Sequence, residues 1–328
     1  MSAIKFSPSP LRVSTRVITA NAGTTLNLKT LFNSVGSVLV PLWWPGEGIL
    51  KMEHEKATIG LGLKDSFSKR RVSDKIFLNQ STLVVRKRIG VDRSKHTSYS
   101  DDSMIFKEVN VKLFANGGIQ MTGVPEESFA EGVLVWLLDI LKTIPAPIFK
   151  DEPNLNKFST QLINSDYDVG YTIKREVIHQ ILTRTYGLFS TFEGTIYQGV
   201  NTKYYYNEAN TDPDRAGQCV CKGKCKGQGS GSGDGECKRI TMSIFQTGKI
   251  IITGARYYHQ IQEAYDYLNR VIKDHADEVL RGPTPAQVVS EEDVVDDGTS
   301  ASVNTGANAN EKTKKVRKTR VRKIALSP

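Results

Sequence analysis

Val111-Lys-Leu-Phe-Ala-Asn-Gly-Gly-Ile-Gln-Met-Thr-Gly123 returns further down the chain as Met242-Ser-Ile-Phe-Gln-Thr-Gly-Lys-Ile-Ile-Ile-Thr-Gly254. Phe114, Gly117, Ile119, Thr122 and Gly123 recur as Phe245, Gly248, Ile250, Thr253 and Gly254, each 131 positions later. A constant offset at five positions marks a duplication. Two copies are too few for a solenoid, so they predict one pseudo-symmetric body.

Each copy alternates with period two on either side of a Gly-containing turn, the pattern of a β-hairpin. Met242 and Ile244 point one way while Thr241, Ser243 and Phe245 point the other, and Val111 and Leu113 likewise oppose Asn110, Lys112 and Phe114. Both phenylalanines therefore fall on the polar face of their strand. A large aromatic there is either covered by another part of the protein or kept for a partner, and its repetition favours the partner. A three-residue turn would set Phe114 opposite Gln120 and Phe245 opposite Ile251, with Thr122 and Thr253 on the same face. A two-residue turn would flip this arrangement.

Working outward, each hairpin is followed by a helical pattern. Glu126 to Lys142 carries Phe129, Val133, Trp136, Leu137 and Ile140 at helical spacing, and Tyr257 to Lys273 carries Tyr258, Ile261, Tyr265, Leu268 and Ile272. These stripes read as core packing against a sheet. Upstream of each hairpin lies a strand and then a helix: Arg12 to Ala20 and Leu26 to Val35 in the first copy, Lys157 to Ser165 and Ile173 to Tyr186 in the second. Further strand candidates are Gly48 to His54, Lys75 to Lys87, and the Tyr-, Phe- and Thr-rich Gly187 to Asn207.

The expected division is an N-terminal arm over 1–11, a first repeat over 12–142, a linker over 143–157 and a second repeat over 158–275. The first repeat carries an insertion over about 55–102 with the basic runs Lys69-Arg-Arg71 and Arg86-Lys-Arg88. The second carries a Cys-rich insertion over about 207–237. Residues 276–328 turn acidic and then basic, too poor in apolar residues to offset chain entropy, and are expected to be disordered.

Of the 328 residues, 39% are hydrophobic and 24% charged, as in ordinary soluble domains. No stretch reaches the ~20 apolar residues of a membrane span, so no membrane partner is expected. The first residues lack a charged segment followed by an apolar core, so no signal peptide is expected and the protein is not read as secreted. That implies a reducing compartment. The net charge of +9 favours polyanions such as nucleic acid.

At this point the chain resembles a family, the TATA-box-binding proteins. Phe245-x-x-Gly-Lys-x-x-x-Thr-Gly-Ala255 looks like that family's signature hairpin. Val17-Ile-Thr-Ala-Asn-Ala-Gly23 followed by Leu26-Asn-Leu-Lys29 is similar to its first strand and helix, and Phe192-Glu-Gly-Thr-Ile-Tyr197 to a strand of its second repeat. The large insertions and Pro41-Leu-Trp-Trp-Pro-Gly46 resemble the divergent versions in large DNA viruses. The resemblance covers about half of the chain.

It implies an α+β saddle: two pseudo-symmetric repeats forming one curved antiparallel sheet with helices on the convex face. The concave face would lie in a widened, A/T-rich minor groove of double-stranded DNA, with phenylalanines wedged between base steps; the family is itself the usual illustration of such kinking. Carried over by position, Phe114, Phe245 and Phe192 would be wedges, and Thr122 and Thr253 would touch base edges. Gln120 and Ile251 would face the groove, and Lys249 and Arg256 would lie near phosphate. The family has an Asn at the centre of each repeat, where this chain has Thr15 and Leu162. A fourth wedge should lie near Trp44 or Gly46; Trp44 could substitute, but is better read as buried.

All four cysteines, Cys219, Cys221, Cys225 and Cys237, fall within nineteen residues of Lys, Gly, Ser and Asp. Four thiolates can hold a structural zinc and fold an otherwise coreless loop; the alternative is a flexible loop with free thiols. Lys312 to Lys323 holds eight Lys/Arg, fit for nuclear localisation or for a nonspecific DNA arm. No catalytic motif, nucleotide loop or small-molecule substrate signature is present, so no enzyme is expected. The reading is a DNA-binding transcription-initiation factor, in a nucleus or in a cytoplasmic virus factory or virion. The alternative is a protein-interaction module that uses the same saddle to recruit polymerase or other transcription factors.

Overall fold

In the computed structural model, residues 6–67, 79–91 and 104–283 are described. Lys69-Arg-Arg71 and the basic run Lys312 to Lys323 lie outside the described residues.

The first repeat runs β1 (Arg12–Asn21), α1 (Leu28–Ser34), β2 (Gly48–His54), β3 (Ala57–Gly60), α2 (Leu63–Phe67), β4 (Gln80–Val91), β5 (Met104–Phe114), β6 (Gly118–Val124) and α3 (Glu127–Lys142). The second runs β7 (Asn156–Asp168), β8 (Tyr171–Ile173), α4 (Arg175–Gln180) with a π turn at Ile181–Thr185, β9 (Phe189–Glu193), β10 (Tyr197–Tyr206), β11 (Lys238–Ile244), β12 (Lys249–Ala255) and α5 (Tyr258–Asp274). α6 (Ala276–Val279) and β13 (Leu280–Pro283) follow. The fold is α+β, as expected.

Eleven strands form one open, curved sheet in the order β3-β2-β4-β5-β6-β1-β7-β12-β11-β10-β9, with antiparallel ladders throughout. Apart from the extra edge strand β3, the order is a palindrome about the β1–β7 pair. β1, β2, β4, β5 and β6 occupy the places that β7, β9, β10, β11 and β12 occupy in the other half.

The equivalence reaches individual hydrogen bonds. The amide of Ala22 donates to Gly117 O at 2.8 Å and that of Val169 to Gly248 O at 3.0 Å, while Leu26 to Ala115 O and Ile173 to Gln246 O both measure 2.9 Å. Each hairpin tip is thus pinned to the segment after the first strand of its own repeat. Close approach there explains the repeated glycine. A Cβ on Gly117 would lie 2.2 Å from Thr24 O and one on Gly248 2.3 Å from Tyr171 O, and both have φ near +85° (86° and 85°).

Strand alternation puts most of the apolar weight on one side. Ile18, Met52, Leu83, Val111 and Met121 pack under Val133, Leu134, Leu137 and Leu141 of α3. Ile163, Met242 and Ile252 pack under Ile261, Leu268, Val271 and Ile272 of α5. The helical stripes are core as expected, except that Tyr258 is exposed, and Tyr267, outside the expected stripe, is buried. Helices therefore cover one face, and the other is open along its centre.

Three expectations change. Residues 80–91, placed within the insertion although the strand candidate Lys75 to Lys87 overlaps them, form β4 between β2 and β5, because Leu83 and Val85 complete the first core; 75–78 lie outside the described residues. Ordered structure continues eight residues past position 275: β13 pairs with β8, and Val279 and Leu280 are buried. Trp44 is 43% exposed and Trp43 79%, so neither is a core residue. Their loop is held by Arg86, whose guanidinium donates to the carbonyls of Leu42, Trp44 and Gly46.

Candidate nucleic-acid interface

The two hairpins set the open face. Each has a three-residue loop, Ala115–Gly117 and Gln246–Gly248, closed by the glycine amide on the phenylalanine carbonyl at 3.0 and 3.1 Å. Lys112 pairs with Gln120 and Ser243 with Ile251. Phe114 therefore lies opposite Gly118, and Phe245 opposite Lys249, whose carbonyl takes the Phe245 amide at 3.0 Å. The sequence reading had placed each phenylalanine two residues further along its partner. The even offset preserves its main point: Phe114, Gln120 and Thr122 share one face, as do Phe245, Ile251 and Thr253. The adjacent Leu113 and Ile244 are wholly buried on the other.

Phe245 is half-buried and leans on Tyr197, with ring centroids 5.8 Å apart in an edge-on contact. Gly199 makes this fit, since a Cβ there would come within 2.8 Å of the Tyr197 ring and 3.1 Å of the Phe245 ring. Beside them opens a recess of about 710 Å³ lined by Phe245, Lys249, Ile251, Asp166, Arg175 and Gln198. Phe114 sits across from Gln80 instead, so the two tips are not chemically equal.

The structure places Phe192 elsewhere. Ser190, two residues earlier on the same face of β9, bonds both Thr202 and His179 on the core side, and Phe192 lies under the Arg175 guanidinium at 5.0 Å with the His179 ring at 6.5 Å. The aromatic beside Phe245 is Tyr197, which the sequence reading passed over. Arg256 is also apart from the tips, at the far end of β12. Its Nε is buried without a hydrogen-bond partner among the described residues, and its neighbour Lys238 has a lowered pKa, through burial first and the Arg256 charge second.

At the centre, Thr15 and Leu162 stand where expected, but the centre also holds Asn164. Its Nδ2 donates to Thr15 Oγ1 at 3.1 Å, and its Oδ1 accepts from the Thr253 hydroxyl. The signal was in the alternation of β7, where Leu162, Asn164 and Asp166 oppose the buried Ile163, Ser165 and Tyr167. Related by the pseudo-two-fold, the other row is Thr122–Val17–Leu162, which has apolar groups where the first row is hydrogen-bonded. Further out, Lys203 donates to Thr241 Oγ1 at 3.0 Å, and its pKa is lowered by burial and by Arg239.

The four cysteine sulfurs lie within 4.8 Å of one another. Cys221 Sγ is 3.3 Å and Cys219 Sγ 3.8 Å from Cys237 Sγ. Gly235 N donates to Cys221 Sγ at 3.1 Å and Asn207 Nδ2 to Cys237 Sγ at 3.3 Å, contacts that favour a thiolate. The loop docks on the body through Gln260 of α5, which donates to Ser230 O at 2.7 Å.

Comparison with known proteins agrees with the hairpins. A sequence profile described as "Transcription factor TFIID (or TATA-binding protein, TBP)" matches residues 207–275. A "TATA-box-binding protein-like" protein of Acanthamoeba polyphaga mimivirus is 27% identical over 218 residues, 62% of this chain and 50% of that protein. The chain thus spans about half the length of this curated relative. Among solved structures, Methanococcus jannaschii TBP aligns over 81% of this chain and 99% of its own, at 14% identity and a TM-score of 0.40. The family resemblance read from the sequence holds: the chain is similar to TATA-box-binding proteins, and its curated relative is a divergent version from a virus.

Proposed function

We propose that the protein is a transcription-initiation factor that seats the minor groove of promoter DNA on its open face and bends the duplex, with no catalytic step. One observation carries the reading. Two hairpin tips, matched bond for bond, each hold a half-buried phenylalanine on the sheet face opposite the helices. A scaffold has no use for that placement, whereas an apolar wedge beside small hydroxyls and amides suits the degenerate code of a minor groove. Phe114 and Phe245 act as wedges, with Tyr197 supporting the second. Thr122, Thr253, Gln120, Ile251 and Asn164 form the floor, and Lys249 lies toward phosphate. A/T-rich duplexes are favoured, and the convex helices are left for polymerase or other transcription factors, in a nucleus or virus factory. The test is bending of an A/T-rich duplex against a G/C-rich one, by electrophoretic mobility of circularly permuted sites. Equal mobility for every permutation would refute the reading.

The same reading includes a structural zinc held by Cys219, Cys221, Cys225 and Cys237. A Cβ on Gly223, Gly233 or Gly235 would meet nothing, so this part of the loop is open, and four converging sulfurs give it a centre. Four thiolates leave no open position, so the ion serves the fold. Elemental analysis of protein prepared under reducing conditions without chelator should return about one zinc per chain. A metal-free protein with an intact loop would overturn this.

A further inference from the structure

Residues 61–67, including α2, lie over the open face of the first repeat. Its side-chain contacts reach residues that alternate with the core, Lys51 on β2, Val84 on β4 and Glu108 on β5, and its Leu61 amide donates to Leu50 O at 3.1 Å. Lys51 Nζ reaches both Asp65 oxygens at 3.0 Å and Glu53 at 2.7 Å. The Leu63 amide donates to both Glu108 oxygens at 3.2 Å. Gly62 is buried, and a Cβ on it would meet Val84 and Glu108 at 3.5 and 3.6 Å. The segment therefore spans three strands, on the side of Thr122 away from Phe114.

The matching place in the second repeat has the opposite character. Glu108 corresponds to Arg239 at the 131-residue offset. Val84 pairs with Asn110 and Lys203 with Thr241, the same position one repeat later. Arg239 is exposed and Lys203 partly so. One flank thus offers two cations, and the other offers Glu53 and Glu108 beneath a strap whose Asp65 shares Lys51 with Glu53.

We infer that this strap closes the first repeat to a duplex, so that DNA seats on the second repeat alone until residues 61–67 are displaced. The inference rests on the groove-binding reading above. Phosphates approaching the first flank meet carboxylates and a backbone segment, while those approaching the second meet Lys203 and Arg239. The strap is built to come away. Leu61, Leu63 and Phe67 are 61%, 50% and 81% exposed, so polar contacts hold it more than apolar burial does. The Leu63–Glu108 contact is exposed and contributes little net stability, and the buried Lys51 keeps Glu53 as a partner at 2.7 Å when Asp65 leaves.

The test compares wild type with two variants: Asp65→Asn combined with Glu108→Gln, and a replacement of 61–67 by seven Gly/Ser residues. Thermal melting verifies that each is folded. Binding to an A/T-rich duplex is measured with hydroxyl-radical footprinting. Wild type should protect one side of the site, and both variants should protect both sides and bind roughly tenfold more tightly. Tight binding by the variants alone would also support the strap. Equal affinity and a full footprint for all three would overturn the inference while leaving groove binding intact. Failure of all three to bind would overturn the groove-binding reading itself, and the strap's role with it.

Discussion

Phe245→Ala separates a wedge from a core residue. Truncating a fully buried Phe costs about 3–5 kcal/mol of stability. Phe245 is partly exposed, so the cost should fall below that range, roughly 2 kcal/mol including the edge-on contact with Tyr197. For a body of this size that is a melting shift of about 4–8 °C. The loss on DNA should be larger. Unstacking a base step costs a few kcal/mol and is offset only when an apolar side chain fills the gap. Without the ring, affinity for a bent site should fall about a hundredfold, equivalent to ~2.7 kcal/mol, and the bend angle should drop. Ile244→Ala is the internal control, because Ile244 is wholly buried one residue earlier on the opposite face. It should melt about 2–5 kcal/mol less stably and still bend DNA when folded at low temperature. The assay pairs differential scanning calorimetry with fluorescence-based bending on the same preparations. If Phe245→Ala melts as badly as Ile244→Ala and bends DNA like wild type, the wedge argument is wrong.

Gly248→Ala should destabilise the protein by about 3 kcal/mol or more in denaturant titrations, because a left-handed φ and a 2.3 Å approach to Tyr171 O are strained together; Gly132→Ala on α3, where a Cβ meets nothing, should be neutral or slightly stabilising. Equal midpoints for the two would contradict the pinned-tip account. Deleting residues 311–328 removes eight Lys/Arg and should reduce the salt slope of nonspecific DNA binding without moving the melting temperature. An unchanged slope would leave localisation as that segment's role.

How much of this was legible in the sequence depends on the kind of signal. The duplication, the hairpins and the two long helices were readable, because period-two and helical patterns are local and each occurs twice. The face of Phe114 and Phe245 was readable for the same reason, although the strand register was not. That register depends on a three-residue loop with a left-handed glycine, packed against Thr24 and Tyr171 from segments distant in sequence. The partner of Phe245 was not readable. Phe192 and Tyr197 are five residues apart, and a register shift between Tyr197 and Asn201 decides which ring reaches the open face. The strap was hidden because its contacts join Lys51, Asp65 and Glu108, none of which belongs to a recognisable motif. The convergence of the cysteines was readable, because all four fall within nineteen residues of one loop and their sulfurs come within 4.8 Å of one another.

The centre of the sheet shows what duplication followed by divergence has done. A pseudo-two-fold alone would give two identical floor rows, and a palindromic surface cannot orient an asymmetric duplex. Here one row joins Thr253, Asn164 and Thr15 through side-chain hydrogen bonds, and its mate is Thr122, Val17 and Leu162. Asn164 spends its Nδ2 on Thr15 and its Oδ1 on Thr253, but an amide has a second N–H and a second lone pair, so it can still engage a base edge. Val17 and Leu162 offer only contact. The polar row belongs to the half that carries Lys203, Arg239 and the Tyr197–Phe245 pair, and the apolar row borders the half covered by residues 61–67. Three differences in separate strands therefore point the same way along the sheet. Random drift in two redundant halves would scatter them. Their alignment is what a surface needs if it is to seat DNA in one direction.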